Sequence, residues 1–470
     1  MNNRLVEAVE KLRSPRIFVL GDLILDRYVW GSVQRVSPEA PVQILNVQRE
    51  EARLGGAANV AANLAALAAR VSCGGTVGRD AGGSRILKLL RSRKIDLSAA
   101  LRDSRKPTAV KTRMIAHNQQ MVRVDRESAD PITPDVQRRL LAAALRAAAT
   151  SDLAILSDYD KGTLPRGLCE SFIRRAKCPV LVGLKSRDCR KYARATGAFL
   201  NRGELLTISR KEDVEAGARK ILRELGLKFL VVTLGERGMA IYSRGAAPIL
   251  LPAMARQVYD VTGAGDTALA AFGVAYASGL ALEECAILAN TAAGVVVSKV
   301  GTETVTRAEL RASGDAHRKV LALPALLKAL KVERARGRRI AFTNGCYDLI
   351  HAGHVQTLQF ARSKGDLLVV GLNSDRSVRG LKGKGRPILP QGDRARVLAA
   401  LEAVDYVVLF DAQTPEALAR RIRPDVLVKG EDYRGARVVG REHAGLVEFA
   451  PLVKGISTSD IIRRICAHES

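Results

Sequence analysis

The chain has 470 residues, with 75 Lys and Arg against 48 Asp and Glu, a net charge of +27, 47% hydrophobic residues and 4% aromatic ones. That length exceeds one ordinary domain, and the apolar share is enough for packed cores, which excludes a disordered tail or a low-complexity fibre. So few rings leave little for stacking single-stranded bases, and the charge needs another account.

Seven cysteines (73, 169, 178, 189, 285, 346 and 466) are scattered without a C-x-x-C pair, so neither a disulfide framework nor a zinc site is expected, and a reducing cytoplasm is the expected compartment. Charges interrupt the first apolar stretch, and no run reaches the length of a membrane span, so a soluble protein with no membrane partner is expected.

In chain order, short β-rich runs alternate with helical stretches. RIFVLGD is followed by an Ala-rich helix after Gly56, then by DLAILSD, PVLVGLK, FLVVTLG and a helix from Thr262 through Ser278; RIAFTNG and DLLVVGLNSD come later. Such alternation predicts an α/β fold of parallel sheets covered by helices. Net charge is +17 over residues 1–314, +6 over 315–340 and +4 over 341–470, so the middle segment reads as a basic linker between two domains.

Asp260 to Thr267 reads DVTGAGDT. Gly263, Ala264 and Gly265 let the backbone turn and aim N–H groups at an anion, and the following helix start adds partial positive charge. Asp266 then lies where a carboxylate can take the proton of an attacking hydroxyl. Taken alone, GAGD also reads as a plain helix entry with an Asp cap.

With Gly55, Gly56 and Asn59 in RLGGAANVAANLAALAA, this motif makes residues 1–314 resemble the ribokinase-like, or PfkB-type, sugar kinases. The resemblance implies that Gly55, Gly56 and Asn59 contact sugar. It also implies that TLGERGM, with Thr233 and Gly235, and Asn290 in ANTAAG border ATP. GDLILDRYVWG, RVSPEAPVQIL, KTRMIAHNQQMVRVDRE and LSDYDKGTL resemble the heptose-7-phosphate kinases among them. There Asp22 would accept hydrogen bonds from sugar hydroxyls, and Arg27, Arg113, Arg123 and Lys161 are candidates for the substrate phosphate.

Two departures from that family stand out. Val182, Gly183, Leu184, Lys185 and Ser186 replace the usual I-D-P-K-G, losing an acidic residue. Leu200, Asn201, Arg202, Gly203 and Glu204 replace P-N-x-x-E, losing only the proline, and the segment Asn201 to Glu204 is expected beside ATP. A kinase half that has decayed is therefore an alternative.

In AFTNGCYDLIHAGH, His351 and His354 sit three apart at a helix entry with Gly353 between them, so both rings can face one point. No further ligands at credible spacing accompany them, and no metal site is expected. The segment resembles the H-x-G-H nucleotidyltransferases, a Rossmann-like family. The resemblance implies that both histidines stabilise charge on a triphosphate while a phosphate attacks. It places Thr343, Asn344, Gly345, Asp348, Gly353, Lys382, Arg386 and Lys429 beside the nucleotide, along with Ser457, Thr458 and Ser459 in GISTSDIIRRI.

The order of the halves resembles the bifunctional kinase/adenylyltransferases of ADP-heptose synthesis, which implies sugar phosphates and ATP as substrates, Mg²⁺ as cofactor and a homodimer through the kinase domain. A nucleic-acid-binding protein is the rival suggested by net charge, but no zinc finger, helix-turn-helix or RNP-type motif supports it.

Overall fold

The computed structural model describes residues 2–116, 119–185, 188–254, 260–299, 301–383, 385–452, 458, 461 and 463–464. The chain divides into two compact units, Asn3–Arg311 and Ala312–Ser470.

The first unit is built on a nine-stranded sheet. Its strands run, edge to edge, Ile249–Leu251, Met239–Ser243, Phe229–Thr233, Gly197–Asn201, Val180–Gly183, Leu153–Ser157, Arg16–Gly21, Arg70–Gly78 and Asp96–Asp103. All run parallel except Met239–Ser243, which is antiparallel to both neighbours. The central strands are apolar and buried on both faces, as helix-covered parallel strands must be. One face packs on helices Ala57–Ala66, Ala264–Ala277 and Leu282–Val296, the other on Pro134–Ala149, Arg166–Arg175 and Val214–Glu224.

A second sheet, absent from the sequence expectation, orders Gln43–Gly56, Leu23–Val36, Ala109–Ala116 and Gln119–Arg126. Its strands interleave charge with apolar residues, as in QILNVQREEARLGG, so they do not read as buried runs.

The second unit holds a five-stranded parallel sheet in the order Tyr406–Phe410, Leu367–Asn373, Ile340–Gly345, Val426–Gly430 and Leu446–Ala450.

Residues 315–340, expected as a basic linker, are a correction. The first of them end the helix Arg307–Lys319, and most of the rest form the helix Leu323–Ala335. Leu326 and Leu330, four apart on one helix face, are fully buried against Ile340, Phe342, Val408 and Ile422. The helix's basic residues, Lys328, Lys331 and Arg334, are exposed to solvent, so composition hid a core helix. Leu330→Ala should lower the stability of the second unit by about 2 to 5 kcal/mol. Exposed Lys331→Ala should change it by less than about 0.5 kcal/mol. Hydrogen exchange of the Leu367–Asn373 amides in the full chain reads both.

Candidate active sites

In the nine-stranded sheet the chain order reverses between Arg16–Gly21 and Leu153–Ser157, and open α/β sheets bind ligands beyond the strand ends at such a crevice. The DVTGAGDT turn closes over it. Asp260 anchors the turn by accepting from the N–H of Thr262 (2.8 Å) and of Gly301 (3.0 Å). Gly263 has φ of +79°, and a Cβ there would stand 2.9 Å from Asn59 Nδ2. The helix Ala264–Ala277 starts next, with Asp266 in its first turn.

Asp266 is buried, with both oxygens occupied by protein donors. Asn59 Nδ2 donates to Oδ2 at 3.0 Å, and the Tyr159 hydroxyl donates to Oδ1. Asn59 in turn accepts from Asn63 (3.1 Å), and Asn63 accepts from Thr267 Oγ1 (3.1 Å), so the base is braced from behind.

A cavity of about 480 Å³ opens in front of Asp266, lined among others by Lys185, Asn201, Arg202, Gly203, Glu204, Thr233 and Gly263 to Gly265. It shares Thr233, Gly235, Ala264 and Gly265 with an apolar cavity of about 460 Å³ that reaches Met239, Asn290 and Val297. The expected ATP-side residues thus line two cavities with shared walls. Asn290 spends its Nδ2 on the Pro252 carbonyl at 2.7 Å.

The departures take a definite form. Leu184 is fully buried, and a Cβ on Gly183 would stand 2.9 Å from Leu269, so the lost acid has no room at this position without a shift. Lys185 remains on the cavity wall, with Nζ 3.7 Å from the Tyr159 ring centroid. Asn201 and Glu204 form a capping box (2.7 and 2.8 Å) at the helix Arg202–Ser209. Burial raises the Glu204 carboxyl above its ordinary value, against the pull of Asn201 and Lys185.

On the sugar side, Asp22 is a correction. It is 1% exposed, and its oxygens accept from the N–H groups of Tyr159 (2.8 Å), Lys161 (3.1 Å) and Thr163 (3.2 Å), so it holds a loop instead of meeting substrate hydroxyls. The carboxylate that faces the site is Asp26, four residues on, paired with Arg113 at 2.6 Å and near enough to Asp266 that the latter's charge, after burial, raises it. A Cβ on Gly55 would stand 2.3 Å from Asp26 Oδ2, so this glycine makes room for the carboxylate.

Cross-strand register puts Asp26 with Arg53 and Lys111, and Tyr28 with Arg113, which in turn pairs Arg123. Directly paired residues share a face, and alternate residues along a strand share it too, so all of these belong to the Asp26 face. Lys161 joins them through Glu127, which it meets at 2.6 Å and which Lys111 meets at 3.0 Å. Arg27 is a second correction: next to Asp26 in an extended strand, it points to the opposite face and pairs with Glu50. Sequence reading missed Asp26, Arg53 and Lys111, whose signal is period-two alternation within charged strands.

In the second unit the order reverses between Ile340–Gly345 and Val426–Gly430, and a cavity of about 460 Å³ sits at their ends. Thr343, Asn344, Gly345, His351, Gly353, His354, Lys382, Lys429 and Thr458 line it. Ser457 and Ser459 lie outside the described residues. His351 stands at the N-terminal cap position of the helix Ala352–Ser363 without a side-chain cap bond, and its ring centroid is 3.9 Å from that of His354. Burial, then His351 and Lys382, lower His354 to about 4, so it is neutral at pH 7. Lys429 Nζ donates to Asn344 Oδ1 at 2.6 Å across the crevice, and burial lowers it to about 8.

Asp348 and Arg386 are corrections here. Asp348 accepts from the N–H of Ile388 (2.7 Å) and Leu389 (3.1 Å) and pairs with Arg386 at 2.6 Å, so the two brace a loop away from the cavity wall. Tyr347, whose ring lies 5.2 Å from that of His354, and Asp432 line the cavity and were missed.

The pfkB family of carbohydrate kinases matches residues 14–308, and the cytidylyltransferase-like family matches residues 342–464. A protein of Geobacter sulfurreducens called "Bifunctional protein HldE" is 47% identical over 95% of this chain and 95% of its own. One of that name from Pelobacter propionicus is 43% identical over 99% of each. A ribokinase of Arabidopsis thaliana, solved with ribose and ATP, shares the fold of the first unit, with 23% identity, a TM-score of 0.53, and coverage of 64% of this chain and 99% of that one.

Gly263→Ala should cost the first unit about 1 to 2 kcal/mol, because its φ is left-handed and the added methyl displaces Asn59 from Asp266. Thermal unfolding of the full chain, followed through Trp30 fluorescence, reads the shift.

Proposed function

Because the chain belongs to the pfkB carbohydrate kinases through its first unit, and to the bifunctional HldE proteins over nearly its whole length, we propose that it makes an ADP-activated heptose in two steps. The first unit is a carbohydrate kinase and the second a nucleotidyltransferase. The observation that carries the first step is Asp266, braced by Asn59 between a nucleotide-sized cavity and the Asp26 face.

In the first step, ATP phosphorylates D-glycero-β-D-manno-heptose 7-phosphate at the anomeric oxygen. Asp266 takes the hydroxyl proton as that oxygen attacks the γ-phosphorus and ADP leaves. Arg53, Arg113, Arg123 and Lys111 on one sheet face, with Lys161 beside them, offer charge for the 7-phosphate. Glu204 fits Mg²⁺: only one of its oxygens accepts a protein hydrogen bond among the described residues, and the other is left for a hard cation. Bound there with the nucleotide, the ion would neutralise charge on the phosphates. Glu204 and Asp266 on one cavity favour a working kinase over a decayed one.

After a separate phosphatase has removed the 7-phosphate, heptose 1-phosphate attacks the α-phosphorus of a second ATP, and pyrophosphate leaves. His351 and His354 donate to the triphosphate as neutral rings, while Lys382 and Lys429 supply the positive charge. The free cysteines suit a cytoplasmic enzyme. Among the described residues, no helix is long and apolar enough to cross a membrane. The face of the four-stranded sheet opposite Asp26 exposes Val122 (47%) and Val124 (51%), which a second copy of the chain would cover in a homodimer.

Asp266→Asn should lower ADP formation from heptose 7-phosphate by about 10²- to 10⁴-fold and leave pyrophosphate release from heptose 1-phosphate unchanged. His354→Ala should do the reverse, by about 10²- to 10³-fold. A pH series adds a third test. Lys429 is charged below about pH 8 and neutral above it, so kcat/KM for pyrophosphate release should fall as pH rises through 8. Lys429→Met should be slower and lack that limb.

A further inference from the structure

Tyr159, within the LSDYDKG segment, has a placement that the sugar-binding reading of that segment does not use. It follows the buried strand Leu153–Ser157, and its N–H donates to Asp22 Oδ2 at 2.8 Å, which fixes the start of the loop. Its side chain runs along the cavity wall to Asp266 Oδ1, and Lys185 Nζ lies 3.7 Å from its ring centroid on that wall. A cation on the ring face resists the swing that would take the hydroxyl away. Burial and the Asp266 charge push the phenol well above its ordinary value, so it stays a donor at any working pH.

Asp266 therefore receives one protein donor on each oxygen, from Tyr159 and from Asn59. A carboxylate oxygen has two lone-pair directions, so each keeps one for a substrate hydroxyl. We infer that Tyr159 is a positioning residue for phosphoryl transfer: with Asn59 it fixes the plane of the Asp266 carboxylate so that a remaining lone pair meets the acceptor hydroxyl. The inference rests on Asp266 being the base.

The step balances without any chemistry at Tyr159. The acceptor proton passes to Asp266 as the new O–P bond forms, and the bond from the γ-phosphorus to its bridging oxygen breaks with its electron pair leaving on ADP. The phenol keeps its own proton. With the phenol gone, the donor from Asn59 does not by itself fix the plane of the Asp266 carboxylate, and misplacement of a reacting group by about 1 Å costs about 100-fold.

The test uses the full chain with Tyr159→Phe, which keeps the ring and its contact with Lys185 while removing the hydroxyl. Pyrophosphate release by the second unit, together with an unshifted unfolding transition of the first, reports that the variant is folded. The expected result is a kcat for ADP formation lowered about tenfold or more, with KM for ATP and for heptose 7-phosphate within about threefold of the parent. A kcat lowered less than that overturns the inference, and so does a loss carried mainly by KM, which would make Tyr159 a binding or merely structural group. Asp266→Asn separates the two readings. If it retains parental kcat, the assignment of the base fails; if it is inactive while Tyr159→Phe is unimpaired, only the positioning role fails.

Discussion

Asp22 follows the strand Arg16–Gly21 of the first unit and gathers three backbone N–H groups from the loop between Tyr159 and Thr163, which follows the neighbouring strand across the chain reversal. A carboxylate taken out of water requires replacement donors, and these supply them. Burial, followed by the nearby Asp158, still pushes Asp22 above the usual carboxylate range. Asp158 is held in its turn by Lys191 at 2.5 Å and by the Tyr192 hydroxyl. The loop is thus clamped at its root. What it carries outward, Tyr159 toward Asp266 and Lys161 toward Glu127, is placed by that clamp.

The second unit solves the same problem with less machinery. At its chain reversal a bond from Lys429 to Asn344 spans the crevice, and the histidines enter from a helix start close by. Asp348 resembles Asp22 in function: each is a buried acid whose oxygens serve backbone N–H groups of another loop. Both were expected beside ligands only through the resemblance of their segments to known families. Backbone N–H partners separate the two uses, and a sequence does not display them.

What could be read from the chain follows from locality. The turn at Gly263 and the pair at His351 and His354 are short, and their chemistry lies within one helical turn, so spacing marked them and resemblance to known families supplied their roles. The central strands were legible as apolar runs. The four-stranded sheet was not, because Asp26, Arg53, Lys111 and Arg113 come from three different strands and meet only through register. Arg27 failed for the complementary reason: one residue from Asp26 in sequence, it belongs to the other face. The helix Leu323–Ala335 was masked by its lysines, which mark the wet side of an amphipathic element as readily as a linker.

The two cavities also differ in the charge they offer a triphosphate. The first cavity presents Asp266 and Glu204 beside Lys185 and Arg202, so its charges balance, and the Arg113 charge is largely taken by Asp26. A triphosphate would still add negative charge beside Asp266 and Glu204, and a divalent cation arriving with it would offset that charge. The second cavity has Lys382 and Lys429 against Asp432, with a neutral His354, so it carries part of that offset in its own side chains. Its pH dependence accordingly falls on a lysine. The net charge of +27 predicts neither arrangement, since the cations that matter are those whose carboxylate partners are missing or shared.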